Sequence, residues 1–195
     1  MCLVIDTNTF SSVFNRNSSE HYHYEPVLDW IQHGKGVIIY GGTKYKKELK
    51  TANEYRKILT EFKKKGKVIE LPTEKVDKYE DYVKKHDCVK KIYPNLKPDD
   101  PNIDARLVAI IKESRCRIIC TKDIKAKKLI REKPLYPNSF KIPEIYSNKS
   151  QEKLLLHDKN IVKICQKNKK DKYGNKREKL NKKDRDAIDR DLSKL

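Results

Sequence analysis

Met1-Cys2-Leu3-Val4-Ile5-Asp6-Thr7-Asn8 decides the reading of this chain. A five-residue apolar run, rich in β-favouring side chains, delivers the carboxylate of Asp6 directly into Thr7-Asn8. Consecutive apolar positions of this length suit a strand buried on both faces of a parallel sheet. Ligands of such sheets bind beyond the carboxyl ends of the strands, which is where Asp6 stands. A charge in that place is costly unless a cation meets it. The run is too short for a membrane span, and it lacks the charged n-region and cleavage site of an export signal.

Working outward, Val37-Ile38-Ile39-Tyr40 is a second strand of the same kind, closed by Gly41-Gly42. Thr43 is placed to cap a long helix over residues 43–64, and Val68-Ile69-Glu70-Leu71 follows as a third strand. Between the first two strands a short helix is expected over 7–15 and a second over 26–33, with Pro26 in its first position. The intervening segment, including His21-Tyr22-His23-Tyr24, reads as a polar loop. A helix is expected over 73–86, then a loop, then a helix over 101–114 that Asp100 caps and Pro101 opens. Arg117-Ile118-Ile119-Cys120-Thr121 is the fourth strand. A short basic helix follows Asp123, and Phe140-Lys141-Ile142 is a candidate fifth strand stopped by Pro143. Strands alternating with helices at these spacings give an α/β fold with a parallel, helix-covered sheet of four or five strands.

The domain is expected over residues 1–145, with a short packed extension over 146–165 and a basic polar tail, disordered or helical, over 166–195. That tail holds 12 Lys or Arg against 6 Asp or Glu and almost no apolar residues, too few to form a core of its own. Across the 195 residues the formal net charge is +18, with Lys and Arg spread along nearly the whole length, which points to a polyanionic partner. Five scattered cysteines, odd in number, make no disulfide framework and no zinc motif. They are expected as reduced thiols and, with no export signal, imply a cytoplasmic protein and no membrane partner.

Four acids fall where the apolar pattern predicts burial or a strand end. Asp6 follows the first strand and Asp123 the fourth. Glu48 interrupts the stripe of its helix between Tyr45 and Ala52, and Asp104 precedes Leu107, Val108 and Ile111 at helical spacing. One such acid usually meets an arginine or a backbone cap. Four facing the same sheet edge would repel one another unless a divalent cation shared them, and all-oxygen ligands suit Mg²⁺ or Mn²⁺.

Asp6-Thr7-Asn8 after a strand, Glu48-Leu49 in the helix after strand 2, Asp104-Ala105 opening Arg106-Leu107-Val108-Ala109-Ile110-Ile111, and Thr121-Lys122-Asp123 after strand 4 together resemble a PIN-domain nuclease, in order and in spacing. The resemblance covers roughly residues 1–145. It implies a three-layer α/β/α sandwich and a metal-dependent endoribonuclease, with one or two Mg²⁺ or Mn²⁺ ions held by Asp6, Glu48, Asp104 and Asp123. Asn8 and Thr121 would brace Asp6 and Asp123. Asp100, in an Asp-Asp-Pro segment, is the alternative third ligand; Asp104 is preferred because Asp100-Pro101 already reads as a helix start. The implied partners are RNA, a protein inhibitor or antitoxin of a toxin–antitoxin pair, and a second copy of the chain. Lys122, the lysine-rich third helix and the long tail depart from the small toxins of that family. The alternative function is a nucleic-acid-binding module of the same fold, or an RNA- or ribosome-associated subunit, that does not cut.

Overall fold

The computed structural model describes residues 2–97, 100, 102–155, 162–167 and 179–195. Its centre is one parallel sheet built from β1 (Cys2–Ile5), β2 (Val37–Tyr40), β3 (Val68–Glu70), β4 (Ile118–Cys120) and β5 (Glu144–Tyr146), in the order β3-β2-β1-β4-β5. Leu3 stands opposite Ile38 and Val4 opposite Ile119, so β1 is the middle strand, and all four of its residues are wholly buried. The chain winds outward from β1 through β2 to β3, then returns to lay β4 on the other side of β1. That reversal opens a crevice between the carboxyl ends of β1 and β4, where α/β folds place their ligands. Asp6 and Asp123 flank it.

Helices cover both faces, giving the three-layer α/β/α sandwich. They are α1 (Phe10–Phe14), α2 (His21–Gln32), α3 (Thr43–Thr51), α4 (Asn53–Lys64), α5 (Thr73–Lys85), α6 (Asp87–Ile92), α7 (Ala105–Ser114), α8 (Ile124–Arg131), α9 (Lys163–Lys167) and α10 (Lys182–Leu192). One layer has α7 lying on β1 and β2 between α5 and α8. The other joins α1, α2, α4 and α10, with Phe14 against both Tyr55 and Phe62. Gly42 makes the turn from β2 into α3 at φ +84, where a Cβ would strike Val76 at 2.7 Å, so neither the backbone angle nor the space admits a side chain. Glu70, at the end of β3, accepts from Lys46 at 2.6 Å and from Lys63, tying α3 and α4 to the sheet edge. Burial works against its charge, but the two ammoniums outweigh burial and hold its carboxyl at about 2.

Several elements differ from the sequence expectation. The fifth strand lies after Pro143 and runs to Tyr146, so a domain edge at residue 145 would cut it. Pro26 sits inside α2, sixth of the twelve residues that begin at His21; it removes one backbone donor from the helix interior, and burial of Tyr24, Val27, Leu28 and Ile31 outweighs that loss. The expected single helix over 43–64 breaks at Ala52 (φ -91, ψ 66) into α3 and α4. The loop after α5 contains α6, and α7 begins at Ala105, with Asp104 at its cap position. Asp100 accepts from the Asn102 amide in a local turn and caps no helix; Pro101 lies outside the described residues.

The C-terminal segment differs most. α10 packs on α4 and buries Ile188 and Leu192, with Leu180 just ahead of it. Its acids pair with the body: Asp189 with Arg16 at 2.6 Å and Asp184 with Lys65 at 2.6 Å. Residues 179–195 are therefore part of the folded unit, while 168–178 of the expected tail lie outside the described residues. Cys165 of α9 lies against Cys2 of β1 with Cα atoms 6.2 Å apart, a separation that a disulfide spans. The expectation of five separate thiols did not foresee this pairing; Cys88, Cys116 and Cys120 are free and buried. No helix among the described residues is long and apolar enough to cross a membrane.

If α10 is held by its apolar face, Ile188→Ala should destabilise the whole domain by about 2 to 4 kcal/mol, read from the urea midpoint at constant slope. A midpoint equal to wild type would return the segment to the status of a free tail.

Candidate active site

Asp6 leaves β1 with no exposed surface. Its backbone amide bonds the Cys120 carbonyl at 2.9 Å, which holds it in register with β4 as the strands end. Thr121, the residue that follows β4, donates its hydroxyl to Asp6 Oδ2 at 2.8 Å and accepts the Asp123 amide at 3.2 Å. One threonine thus braces both strand-end acids. Asn8 contributes through its backbone amide, 3.4 Å from Asp6 Oδ1, while its side chain lines the cleft.

Glu48 arrives from α3 and accepts the Thr7 hydroxyl at 2.6 Å. Asp104, at the head of α7, uses its side chain for Arg106 and for the Tyr93 hydroxyl at 3.3 Å instead of capping its helix. Asp123 caps α8 through the Ala126 amide at 2.7 Å and faces the cleft. Asp100 does not line it.

Arg106 occupies the point on which three of these acids converge. Its Nη1 lies 2.8 Å from Asp104 Oδ1 and its Nη2 3.3 Å from Asp6 Oδ1. Nε lies 3.0 Å from Glu48 Oε2 but is not aligned to donate to it, and it has no hydrogen-bond partner among the described residues. Sequence reasoning gave Arg106 no role. The available signal was its position two residues after Asp104, as a cation at the head of the apolar run Leu107–Ile111 of α7. Thr7 and Tyr93 were missed as well. Lys44, half-buried nearby, donates to the Ile103 carbonyl at 2.9 Å.

Burial raises the Asp6 carboxyl to about 6, even though Arg106 and the Thr121 hydroxyl pull the other way. Burial also raises Asp104 against the pull of Arg106. The Arg106 guanidinium loses solvation, yet Glu48, Asp104 and Asp6 together push its pKa up. Lys44 is lowered by burial and by the neighbouring guanidinium. Four carboxylates thus face two buried or half-buried cations, leaving about two negative charges without an inner partner by that count. The cleft lined by Glu48, Asp104 and Asp123, with Asp6 buried behind it, has a volume of about 640 Å³, and Lys122, Ile124 and Lys125 form an exposed rim on it.

The donor set is all oxygen and carries excess negative charge, which fits a hard divalent cation. Asp6, Glu48 and Asp104 would hold it, with Asp123 across the cleft. With Arg106 in place, no three His, Cys, Asp or Glu side chains among the described residues lie close enough to share one metal ion. Comparison with known protein families, curated proteins and solved structures finds no match. The class assigned by the fold is therefore a parallel-sheet α/β domain with a carboxylate cleft at its topological switch point.

Asp6 binds its proton more tightly in the fold than in the unfolded chain, so its ionisation opposes folding above about pH 6, and this cost disappears as pH falls towards 4. Asp6→Asn should accordingly be more stable than wild type at pH 7.5 in EDTA, by on the order of 2 kcal/mol. The gap should close by pH 4 in paired thermal melts; a variant less stable at pH 7.5 would show that ion pairing outweighs burial. Arg106→Met leaves three carboxylates without their guanidinium and should cost about 3 to 5 kcal/mol. Mg²⁺ or Mn²⁺ should raise its melting temperature more than that of wild type, and equal responses would count against a cation site at this point.

Proposed function

We propose that the chain is a metal-dependent endoribonuclease of the PIN-domain kind, hydrolysing RNA phosphodiester bonds in the cleft at the ends of β1 and β4. The observation that carries this reading is the convergence of Asp6, Glu48 and Asp104, from three separate elements, within 2.8 to 3.3 Å of one cationic group, beside a cleft that also exposes Asp123. A bound divalent ion supplies charge to a phosphoryl oxygen and lowers the pKa of a water. The protein's part is to place the charges. Thr121 and Thr7 fix Asp6 and Glu48 in orientation, Arg106 keeps the acids from repelling one another, and Lys122 and Lys125 grip phosphates flanking the scissile one. The same reading carries RNA as substrate, a protein inhibitor or antitoxin and a second copy of the chain as partners, and the cytoplasm as compartment.

One observation favours a second reading. Because Arg106 stands at the shared point, the fold also suits a nucleic-acid-binding module or RNA-associated subunit in which a guanidinium has replaced the metal and nothing is cut.

Incubation of the purified chain with single-stranded RNA should give cleavage that requires Mg²⁺ or Mn²⁺ and stops in EDTA. Asp104→Asn should lower the rate by at least about 100-fold, on the scale of losing one charge-stabilising group, while Asp100→Asn stays near wild type. Binding that survives EDTA without any product at any metal concentration would select the second reading.

A further inference from the structure

A second groove lies at the opposite end of α7 from the acids. Asp104 and Arg106 stand at the helix start and Lys112 near its end, eight residues or about 12 Å further on. The groove has a volume of about 590 Å³, shares no lining residue with the acid cleft, and runs between α5 and the segment after α8. Its walls are aromatic. Tyr79 donates its hydroxyl to the Leu135 carbonyl at 2.6 Å and Tyr136 to the Ile130 carbonyl at 3.0 Å, so both rings are held in fixed orientation. Tyr82 lies against Tyr79, ring centroids 5.3 Å apart, and is 48% exposed, one of three large apolar or aromatic side chains left in solvent among the described residues.

The charge around these rings is positive. Lys112 sits 4.2 Å above the Tyr79 ring and pairs with Glu113, while Lys75 and Lys78 stand exposed along α5. Three ammoniums thus face one carboxylate. We propose that this groove binds single-stranded nucleic acid, with a base stacked on Tyr82 and the adjoining phosphates met by Lys75 and Lys78. Aromatic faces interleaved with lysines match a strand whose bases are unpaired, since each base has a π-face and each linkage a negative charge. An acidic peptide would satisfy the lysines and leave the ordered aromatic platform without a matching partner. The groove shares with the proposed function the class of ligand and nothing of the cleavage chemistry.

Fluorescence anisotropy with a labelled oligouridylate of about 12 nucleotides tests this on the full chain in EDTA, where binding is read without metal-dependent cutting. Tyr82→Ala should weaken binding about tenfold, the loss expected for one stacked base, while Tyr82→Phe stays within about twofold of wild type. Lys75→Gln with Lys78→Gln should reduce the slope of log affinity against log salt by about 1.4, two phosphate contacts on a single strand. Loss with both Tyr82 variants alike, no loss with Tyr82→Ala, or no binding by wild type would each overturn the proposal. So would variants that lose affinity for polyglutamate but not for the oligouridylate. A chain that binds through Tyr82 but never cuts fails the hydrolysis and not the groove; one that cuts while Tyr82→Ala binds as wild type fails the groove and not the hydrolysis.

Discussion

The fold is arranged around a carboxylate that has no water. Asp6 is wholly buried at the end of the central strand, and an ionised acid there costs several kcal/mol unless oriented partners replace its hydration. Thr121 can do so only because β4 lies beside β1, and Arg106 only because α7 crosses β1 and β2 with its first turn at their carboxyl ends. The sheet order and the docking of α7 are thus the geometry that makes the acid tolerable. The compensation is incomplete. A carboxyl raised to about 6 is one whose burial still outweighs its partners.

Outside this site, charge is used differently. Glu70 holds two lysines, and α10 meets Arg16 and Lys65 through its acids. Half-exposed pairs such as Arg16–Asp189 contribute little each, typically under about 1 kcal/mol, so the burial of Ile188 and Leu192 must carry most of the docking of α10. The ion pairs serve register, choosing which turn of α10 meets which part of the body. The remaining lysines, far in excess of the acids, leave a surface field suited to a polyanion.

The centre of the fold was legible in the sequence and its margins were not, for identifiable reasons. Strands β1, β2 and β4 are apolar runs closed by Asp, Gly or Thr, and burial on both faces leaves no other use for such runs, while β3 at the sheet edge is marked by the Pro72 that follows it. β5 is short and only partly apolar, and its pairing with β4 decides its place more than Glu144-Ile145-Tyr146 does on its own. Helix spacing across α3 and α4 continues through Ala52, so nothing local marks the break. Cys2 and Cys165 are separated by 163 residues, and no spacing rule reaches that far. The acids Asp6, Glu48, Asp104 and Asp123 stood out because they interrupt apolar patterns. Arg106 interrupts one too, but a helix-start arginine is read as surface until the buried acids it serves are placed in space.

Whether the cleft takes a metal turns on how far the carboxylates can close around the point that Arg106 now fills. Oxygens lie about 3 Å from guanidinium nitrogens, whereas Mg²⁺ requires six oxygens at roughly 2.1 Å in near-octahedral order. Asp6 is fixed by Thr121 and the strand ladder, and Asp104 by Tyr93 and the head of α7, so neither has much travel. Glu48 is different. Its side chain is 30% exposed, it rides on α3, and the break at Ala52 separates that short helix from the rigid packing of α4. Its contact with Arg106 lacks hydrogen-bond alignment, yet of the three acids it is the one that raises the guanidinium pKa most. A divalent ion at this point would have to displace Arg106 from Asp6, Glu48 and Asp104, and would supply there the positive charge that the guanidinium now supplies. As the structure stands, Arg106 is the group that holds the three acids together, and it fills the point that a shared cation would need.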